Sequence, residues 1–453
     1  MNQWNFDIEN NECIIWNHEF KYNISKIFCD NAQVDCYYED EWIICTLKKL
    51  YENNTPGEFK NSEKKNDISS TTHGSFGTLA KESKRNLFAE SICKLFSINT
   101  RQSNLLNTNR LFCTKPFKWF EVFSWQQIGV VHLCCAGWLE MSIGNLLHQS
   151  VDEIWNSLNA HKIRRSILDG SFKYCNRDLC PYLKTITGPV LRYKDIKDKE
   201  LKEVIDEELT ILPYGPKAIN CSYDRSCNLY CPSCRDHIFI ETQNKIQILK
   251  IQDKIHKEAL KGVHLLYIAG TGDPFGSPYN RKWLQTMKRD DMPNLKEIFL
   301  QTNAQLWTKK LWNTIPKDIR KLVKTTEISI DAASPETYAI NRRGGNFEKL
   351  IENLKFISKL RKHGPIKTMR ISMIVQENNF LEMPEFVRLG KSLNVDTVFF
   401  NQLVNWGTYS DEEFESRAIH FPEHPRNSEF VDLLKDKIFK EPIVNLGNLT
   451  GAE

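Results

Sequence analysis

The sequence lacks a strong charge of either sign. Its 61 lysines and arginines nearly balance 57 aspartates and glutamates, which leaves a formal net charge of +4 over 453 residues. Proteins that bind nucleic acid or anionic membranes usually carry a marked basic excess on one surface. We therefore expect neither a nucleic-acid partner nor a charged membrane surface as a partner.

A secretory start and a long apolar run are also missing. The first seven residues, MNQWNFD, have no basic start and no apolar core, so we expect no signal peptide. The most apolar stretch, 128–141, contains His132 and is too short to cross a bilayer. The sequence therefore predicts no membrane-spanning segment.

Cysteine is absent after Cys234, although 14 cysteines lie at or before that position. Without an export signal, so many cysteines favour a reducing, cytoplasmic compartment, where thiols bind metal instead of forming a disulfide scaffold. Metal ligands are therefore expected at or before Cys234.

The densest group of cysteines is Cys227, Cys231 and Cys234, with the spacing C-x3-C-x2-C. Three thiolates on one loop can bind three irons of a four-iron cluster and leave the fourth iron open. A zinc site, or a disulfide with a spare thiol, is the alternative. Zinc sites usually have a second cysteine pair, and none follows Cys234.

Strand-like and helix-like stretches alternate from residue 217 onward. The predicted strands are 217–223, 263–269, 295–302, 327–331, 367–375 and 397–403. The predicted helices are 240–260, 280–288, 309–322, 335–360 with an interruption near Gly344 and Gly345, and 383–393. Ser334 with Pro335 begins one of these helices. Six β/α units indicate an α/β fold with a parallel sheet, and six is fewer than the eight of a closed barrel.

Residues suited to ligand binding follow the ends of these strands, where ligands bind in parallel β/α folds. The triple-cysteine loop follows the first strand. The other candidates at the ends of later strands are Gly272, Asp273, Ser329 and Asp331. Ser329 and Asp331 are two residues apart and so are expected on the same face of the sheet.

The cysteine loop in front of six β/α units resembles the signature of the radical S-adenosylmethionine (SAM) enzymes. The resemblance implies a partial (β/α)6 TIM-like barrel and a [4Fe-4S] cluster whose open iron binds SAM. It also implies an electron donor such as flavodoxin or ferredoxin, reductive cleavage of SAM, and a 5′-deoxyadenosyl radical that abstracts a hydrogen atom. The cofactor carries this chemistry, and the protein positions it.

The same resemblance implies roles for single residues. Gly272 and Asp273 resemble the Gly-Gly-Glu-Pro motif that contacts the SAM amino group, with Asp in place of Glu. Ser329 and Asp331 would bind ribose and methionine groups, although Asp331 could instead bind substrate. Arg342 or Arg343 would pair with the SAM carboxylate, and a solvated helix charge is the alternative for either arginine. Ile374 would lie along the adenine.

A second cysteine set precedes the barrel. Cys113 and Cys134 lie in a C-x15-G-x4-C pattern, and Cys175 and Cys180 in C-x4-C-P, with a capping box predicted between them. This region resembles the SPASM and twitch domains that accompany many radical SAM enzymes. Most relatives carry that domain after the barrel, whereas a smaller set carries it before.

This second resemblance implies an auxiliary [4Fe-4S] cluster bound by Cys113, Cys134, Cys175 and Cys180. Four thiolates would close the site and make it an electron carrier or a substrate anchor. A structural zinc site is the alternative, and Cys135 could replace Cys134. Cys221 is predicted to be a core residue.

We expect five regions. They are a β-rich region with a linker (1–105), the small α+β SPASM/twitch domain (106–190), a linker helix (191–216), the partial barrel (217–410) and a tail (411–453). Within 1–105, strands are predicted near 14–16, 21–24, 34–38 and 42–45, a linker at 52–85 and a short helix at 83–95.

The leading functional hypothesis is a radical SAM enzyme that modifies a peptide or protein. Oxidation or rearrangement of a sugar or small molecule is the alternative, and a zinc-binding scaffold is the second alternative.

Overall fold

The computed structural model of this chain describes residues 5–9, 12–16, 26–29, 32–39, 42–50, 110–124, 127–268 and 270–449. The chain divides into two compact units. One comprises Met1–Thr108 and Ile205–Ile211, and the other comprises Asn109–Val204 and Leu212–Glu453.

The first unit contains a five-stranded antiparallel sheet in the order β1-β2-β5-β4-β3. Its strands are β1 (Asn5–Glu9), β2 (Glu12–Trp16), β3 (Lys26–Cys29), β4 (Ala32–Glu39) and β5 (Trp42–Leu50). The prediction of a β-rich start is confirmed, with strands at three of the four predicted places. The predicted strand at 21–24, the linker at 52–85 and the helix at 83–95 lie outside the described residues.

The second unit contains a ten-stranded sheet in the order β17-β16-β15-β14-β13-β12-β11-β7-β8-β9 and a two-stranded sheet of β6 and β10. Following this order, each strand from β17 to β7 pairs in parallel with the next, whereas the β7–β8 and β8–β9 pairs are antiparallel. The strands are β6 (Leu111–Cys113), β7 (Trp119–Phe123), β8 (Val130–His132), β9 (Gly144–Asn145), β10 (Val190–Arg192), β11 (Ala218–Ser222), β12 (Leu265–Ile268), β13 (Glu297–Thr302), β14 (Val323–Ser329), β15 (Thr368–Val375), β16 (Thr397–Gln402) and β17 (Val444–Asn445).

Helices connect the parallel strands, as six β/α units require. In the described part of the chain the α-helices are α1 (Val151–Trp155), α2 (Leu158–Leu168), α3 (Pro181–Thr185), α4 (Lys199–Asp206), α5 (Lys245–Lys254), α6 (Pro278–Thr286), α7 (Lys309–Trp312), α8 (Lys317–Arg320), α9 (Pro335–Asn341), α10 (Phe347–His363), α11 (Met383–Ser392), α12 (Asp411–Arg417) and α13 (Asn427–Leu433). Among these described helices, none is long and apolar enough to cross a membrane.

Most helices and strands predicted from residue 217 onward are confirmed, but some of their boundaries are wrong. Strand β14 begins at Val323, four residues before the predicted start. The predicted helix at 309–322 is two short helices, and Pro316 precedes the second of them. Proline has no backbone N–H to donate to the preceding helical turn, so the helix is interrupted at this residue. Helix α5 continues into a π-helical turn, Ile255–Ala259.

The helix starts read from the sequence are confirmed. Ser150 and Glu153 form the predicted capping box at α1, with each side chain bonded to the other residue's backbone N–H. Ser334 caps α9, and Pro335 occupies the first turn of that helix. Cys221 is buried on β11, as predicted for a core residue.

The two faces of the parallel sheet differ in burial. On one face the alternating residues, such as Ile268, Leu300 and Ile371, are fully buried, and helices α10 and α11 contact β15 and β16. On the other face the intervening residues, such as Gln301 and Arg370, are only half-buried. The half-buried face carries many polar side chains and is the face on which a ligand can lie.

Strand β7 joins the cysteine-rich segment to the parallel strands of the ten-stranded sheet. It pairs in parallel with β11, in the register Ala218↔Trp119. Buried Trp155 donates from Nε1 to the carbonyl of Tyr214 over 2.6 Å, and Arg164 donates from Nε to the carbonyl of Pro116 over 2.9 Å. These contacts fix the segment that holds the second cysteine set beside β11, the strand that leads into the triple-cysteine loop.

Candidate metal centre

The three cysteines of the C-x3-C-x2-C loop lie together directly after β11. Cys227 and Cys231 are buried, and Cys234 packs against them and Leu229. The Cys227 N–H donates to the carbonyl of Phe239 over 2.8 Å, and the Cys234 N–H donates to the carbonyl of Cys231 over 2.9 Å. These backbone bonds fold the loop so that the three sulfurs lie in one small space.

Hydrogen-bond donors surround all three sulfurs. Cys227 Sγ accepts from the Leu229 N–H at 3.5 Å and from Asn303 Nδ2 at 3.6 Å. Cys234 Sγ lies 3.3 Å from Arg235 Nη2, and Cys231 Sγ lies 3.7 Å from Arg342 Nη1. Two guanidinium groups therefore face the thiols, an arrangement that stabilises negative charge on sulfur.

The protonation chemistry of these thiols fits a metal cluster. Burial and then the Asp273 carboxylate raise the pKa of Cys227 to about 12, against the opposing effect of Arg235. Burial also raises the pKa of Cys231. Such thiols give up their protons readily only when a metal supplies positive charge. The donors around the sulfurs then suit the thiolate ligands of an iron–sulfur cluster.

Arg342 connects the cysteine loop to the end of β14. Its Nη2 lies 2.8 Å from Asp331 Oδ2, and both side chains are largely buried. Burial opposes the charge of Arg342, but Asp331 and Cys231 raise its pKa well above the ordinary value. Asp331 adopts a left-handed backbone with φ of 60°, and its Oδ1 accepts the Ile374 N–H over 2.8 Å. The predicted residues Asp331, Arg342 and Ile374 thus lie together.

Arg343 lies differently from Arg342. Its side chain is exposed, and its carbonyl accepts the N–H of Tyr230 over 3.0 Å. The sequence left the two arginines equivalent, and the structure places the Arg342 side chain, not that of Arg343, against the cysteines.

The Asp273 carboxylate is fully occupied by the protein itself. Oδ1 accepts the N–H groups of Phe275 and Gly276 at 2.9 and 2.8 Å, and Oδ2 accepts Thr302 Oγ1 and the Asn303 N–H at 2.7 and 2.8 Å. A carboxylate has about four acceptor sites, so Asp273 positions Asn303, whose amide reaches Cys227. This geometry favours a positioning role for Asp273 over the predicted direct contact with an amino group, which stays a prediction.

Gly272 lies where the turn after β12 touches the cysteine loop. A Cβ at this position would meet the carbonyl oxygens of Asp224 and Ser226 at 2.4 and 2.6 Å. Only glycine permits this close approach of two backbones. Gly272 therefore holds the turn against the loop that carries Cys227.

Ser329 and Ile374 lie on the half-buried face near the same site. Ser329 Oγ is 3.4 Å from Ser372 Oγ. The Ile374 N–H donates to Asp331, and its carbonyl accepts Asn379 Nδ2 over 2.9 Å. Since both backbone groups of Ile374 have protein partners, an adenine contact through its backbone stays a prediction and is not favoured by this geometry.

The second cysteine set also converges. Cys113 ends β6, Cys134 follows β8, and Cys175 and Cys180 lie in the loop before α3. Burial raises the pKa of Cys113 to about 12, and the nearby thiols of Cys175 and Cys180 also raise it. Trp138 donates from Nε1 to Cys134 Sγ over 3.1 Å. The four thiols are close enough to influence one another and fit an auxiliary cluster.

A buried lysine lies beside this second set. Lys115 Nζ is 2.5 Å from Glu121 Oε1 on β7. Burial disfavours the charge of Lys115, but Glu121 and then Cys134 raise its pKa well above the ordinary value. Cys135 lies beside the same groups. Burial and then Glu121 raise the pKa of Cys135, Lys115 lowers it, and Cys180 raises it. The choice between Cys134 and Cys135 as ligand therefore stays open.

Within the described ranges, no three His, Cys, Asp or Glu side chains meet as they would around a single metal ion. In a four-iron cluster each thiolate binds a different iron, so the ligand sulfurs lie farther apart than around one ion.

Sequence reasoning missed three polar residues of these sites. They are Arg235, Asn303 and Lys115. Arg235 directly follows Cys234, and Lys115 lies two residues after Cys113, so a cation next to each cysteine motif was the available signal. Asn303 had a weaker signal, its position directly after the third predicted strand.

Two protein families match this chain. Residues 223–389 match the Radical SAM superfamily, and residues 113–181 match SPASM, an iron-sulfur cluster-binding domain. Residues 223–389 therefore carry a radical SAM domain, and residues 113–181 carry an iron–sulfur cluster-binding domain that precedes it. These two domains imply a [4Fe-4S] cluster, SAM and auxiliary iron–sulfur clusters as cofactors.

Several solved structures are similar to parts of the chain. Streptococcus suis SuiB bound to S-adenosylmethionine is 16% identical, with a TM-score of 0.36, over 55% of this chain and 53% of SuiB. SuiB bound to its precursor peptide SuiA is 14% identical, with a TM-score of 0.35, over 64% and 63%. Native anSMEcpe with AdoMet and the Kp18Cys peptide is 14% identical, with a TM-score of 0.33, over 50% and 62%.

The chain thus spans less than two thirds of the length of each of these proteins. No curated protein matches it.

Proposed function

We propose that this radical SAM enzyme modifies a peptide or protein by hydrogen abstraction, at a site built on Cys227, Cys231 and Cys234. The observation that carries the proposal is the set of donors on these sulfurs, which includes the guanidinium groups of Arg235 and Arg342. When bound, the [4Fe-4S] cluster and SAM would supply a 5′-deoxyadenosyl radical through one-electron reductive cleavage. A reduced flavodoxin or ferredoxin is the proposed electron donor.

The residues of this chain would hold and orient these groups. The three thiolates would bind three irons, and Arg342, fixed by Asp331, is the proposed partner of the SAM carboxylate. Asp273 and Gly272 would keep the neighbouring turn and Asn303 against the cysteine loop. Ser329 on the half-buried face, with Ile374 near it, is proposed to line the SAM site.

The finer architecture belongs to the same proposal. Parallel strands β11 to β16 would curve as an open partial barrel with the half-buried face inside. Both the triple-cysteine loop and the end of β14 lie at the carboxyl ends of these strands, where parallel β/α folds bind ligands. The proposed location is the cytoplasm, where thiols stay reduced and can bind metal.

The second cysteine set would hold an auxiliary [4Fe-4S] cluster through Cys113, Cys134, Cys175 and Cys180. Four thiolates leave no open iron, so the cluster would accept or relay an electron, or anchor substrate. In this chain the domain precedes the barrel, and β7 brings it to the edge of β11. That strand pairing supports a path between the two sites.

Exposed apolar residues beside the cysteine loop and beyond the end of β16 support a peptide substrate over a small molecule. Ile238 and Ile240 are 51% and 41% exposed, and they flank Phe239, whose carbonyl accepts the Cys227 N–H. Val404 and Trp406, beyond the end of β16, are 47% and 49% exposed. Exposed apolar residues beside a site are typical of surfaces that bind another chain. A sugar or small molecule remains the alternative substrate class.

Anaerobic reconstitution tests this proposal. The purified protein should bind iron and sulfide and form 5′-deoxyadenosine from SAM when reduced with dithionite. A protein that contains zinc and forms no 5′-deoxyadenosine would instead be a metal-bound scaffold. Substrate class is tested with short peptides encoded next to the gene, with mass spectrometry as the readout.

Two matched variants separate the cysteine sets. Cys231→Ala should abolish 5′-deoxyadenosine formation, because it removes a ligand of the SAM-binding cluster. Cys175→Ala should keep SAM cleavage without substrate, because its thiol belongs to the other set. Equal loss in both variants would contradict two functionally separate clusters.

A further inference from the structure

A row of polar side chains crosses the half-buried face of the sheet. Gln301 on β13, Glu327 on β14 and Arg370 on β15 are direct register partners in adjacent parallel strands. Arg370 Nη1 lies 3.0 Å from Glu327 Oε2, and Gln301 Nε2 lies 3.5 Å from Glu327 Oε1. Tyr267 on β12 extends the row by donating its hydroxyl to Gln301 Oε1 over 2.8 Å.

The row lies on the same face of the sheet as the proposed SAM site, nearer to the amino ends of the strands. Strand β14 carries Glu327 and Ser329 on the same face, and Asp331 follows at its end. At about 3.3 Å per residue, Glu327 is about 13 Å along the strand from Asp331, the partner of Arg342. A substrate that reached the SAM site across the half-buried face would therefore contact this row.

Glu327 is the less available of the two charged groups. Its side chain is 11% exposed, and Arg370 and Gln301 both bond to it. Burial raises the pKa of Glu327, and Arg370 opposes this effect. The main role of Glu327 is therefore to hold the guanidinium in place.

Arg370 is partly exposed and has donors that no described residue accepts. Its side chain is 33% exposed, and among the described residues its Nε and Nη2 groups have no hydrogen-bond partner. Since Glu327 takes Nη1, the edge formed by Nε and Nη2 remains open, and two parallel N–H groups match a carboxylate fork. The guanidinium also stacks on Phe399, with 5.0 Å from Cζ to the ring centroid, which fixes its plane.

We infer that the Nε–Nη2 edge of Arg370 binds a carboxylate of the substrate. The inference rests on the proposed function, because it places substrate on the half-buried face. The carboxylate belongs to an Asp or Glu side chain or to a peptide C-terminus, since both present the same two oxygens. The stacked rings of Tyr267 and Phe299, with centroids 4.2 Å apart, form an aromatic wall on the neighbouring strands.

Three small probes test this subsite on the reconstituted holoenzyme with SAM bound. N-acetylglutamate α-methylamide carries a side-chain carboxylate, N-acetylalanine carries a terminal one, and N-acetylglutamine α-methylamide is the neutral match of the first. Calorimetry should show at least one acid bound about tenfold more tightly than the amide. Which acid binds more tightly identifies the source of the carboxylate. Equal binding of acids and amide would overturn the inference.

Variants of the ion pair add opposite expectations. Arg370→Gln should weaken acid binding about tenfold and leave amide binding unchanged. Glu327→Gln should strengthen acid binding, because it removes the competing carboxylate. Since Arg370→Gln leaves Glu327 buried without its partner, the double variant Glu327→Gln/Arg370→Gln, which has no buried charge, should show the same loss and keeps the test valid if the single variant misfolds.

Arg388→Gln is the matched control, because Arg388 forms an exposed pair with Glu385 on α11. It should bind all three probes as the wild type does. Formation of 5′-deoxyadenosine by the wild-type preparation separates the two levels. A preparation that cleaves SAM but does not distinguish acid from amide refutes this inference alone, whereas one that does not cleave SAM refutes the proposed function.

Discussion

Arg342 and Asp331 form a buried ion pair of 2.8 Å that ties the end of β14 to the cysteine loop. The same guanidinium lies 3.7 Å from Cys231 Sγ. One cation thus contacts both a carboxylate and a thiol, and both members of the ion pair are largely buried. Removing either charge should therefore disturb the other at the site where SAM is proposed to bind.

Asp331→Asn tests this charge balance. Asparagine tolerates the left-handed backbone of this position, and its amide oxygen can still accept the Ile374 N–H. The charge alone is lost, which leaves Arg342 buried and unpaired at a cost of about 3 kcal/mol. We expect a lower free energy of unfolding and slower 5′-deoxyadenosine formation. Asp396→Asn, which breaks the more exposed pair with Arg361, should lose stability without a comparable loss of SAM cleavage.

Gly272→Ala tests the contact between the turn after β12 and the segment that leads into the triple-cysteine loop. A methyl group would lie 2.4 Å from the carbonyl oxygen of Asp224, so one of the two backbones must shift. Because the Asp224 carbonyl belongs to the segment that leads into Cys227, we expect lower iron content after reconstitution. Gly215→Ala is the control, since a Cβ there meets no atom within 4 Å. Equal iron content in both variants would show that the contact is not needed.

Lys115→Met tests the charge beside the auxiliary cysteines. Loss of a cation near an iron–sulfur cluster favours the oxidised form, so the reduction potential of the auxiliary cluster should fall. A one-electron shift of about 60 mV corresponds to about 1.4 kcal/mol. Potentiometric titration monitored by electron paramagnetic resonance would measure it. The variant Lys115→Met/Glu121→Gln removes the whole pair and should restore most of the potential, and an unchanged potential in Lys115→Met would exclude this role.

His161→Gln should reduce the loss of stability in acid. Burial, and then Arg165 and Arg164, lower the pKa of His161 to about 4, against about 6.5 in an unfolded chain. Between these values the unfolded chain binds more protons, so the folded state loses stability as pH falls from 6.5 toward 4. Urea unfolding at pH 7 and pH 5 should show the wild type losing about 1–2 kcal/mol more than the variant. His363→Gln, at an exposed position, should not change this difference.

Local sequence patterns determined much of the fold. The six parallel strands from β11 to β16 and the caps at Ser150 and Ser334 were predicted because alternation and capping depend on residues close in the chain. Strand β7 was missed, since a short segment becomes a strand here only by pairing with β11, about a hundred residues later. Local propensity does not record such a pairing.

The candidate site divides in the same way. The cysteine spacing by itself indicated a cluster loop, because three thiols within eight residues can meet without help from the rest of the fold. Only the tertiary structure distinguished Arg342 from Arg343, filled the Asp273 carboxylate and aligned Glu327 with Arg370. These relationships join residues up to 111 positions apart. The register of the parallel sheet aligns Glu327 with Arg370, and loop packing after the strands places Arg342 and Asp273, neither of which a local pattern specifies.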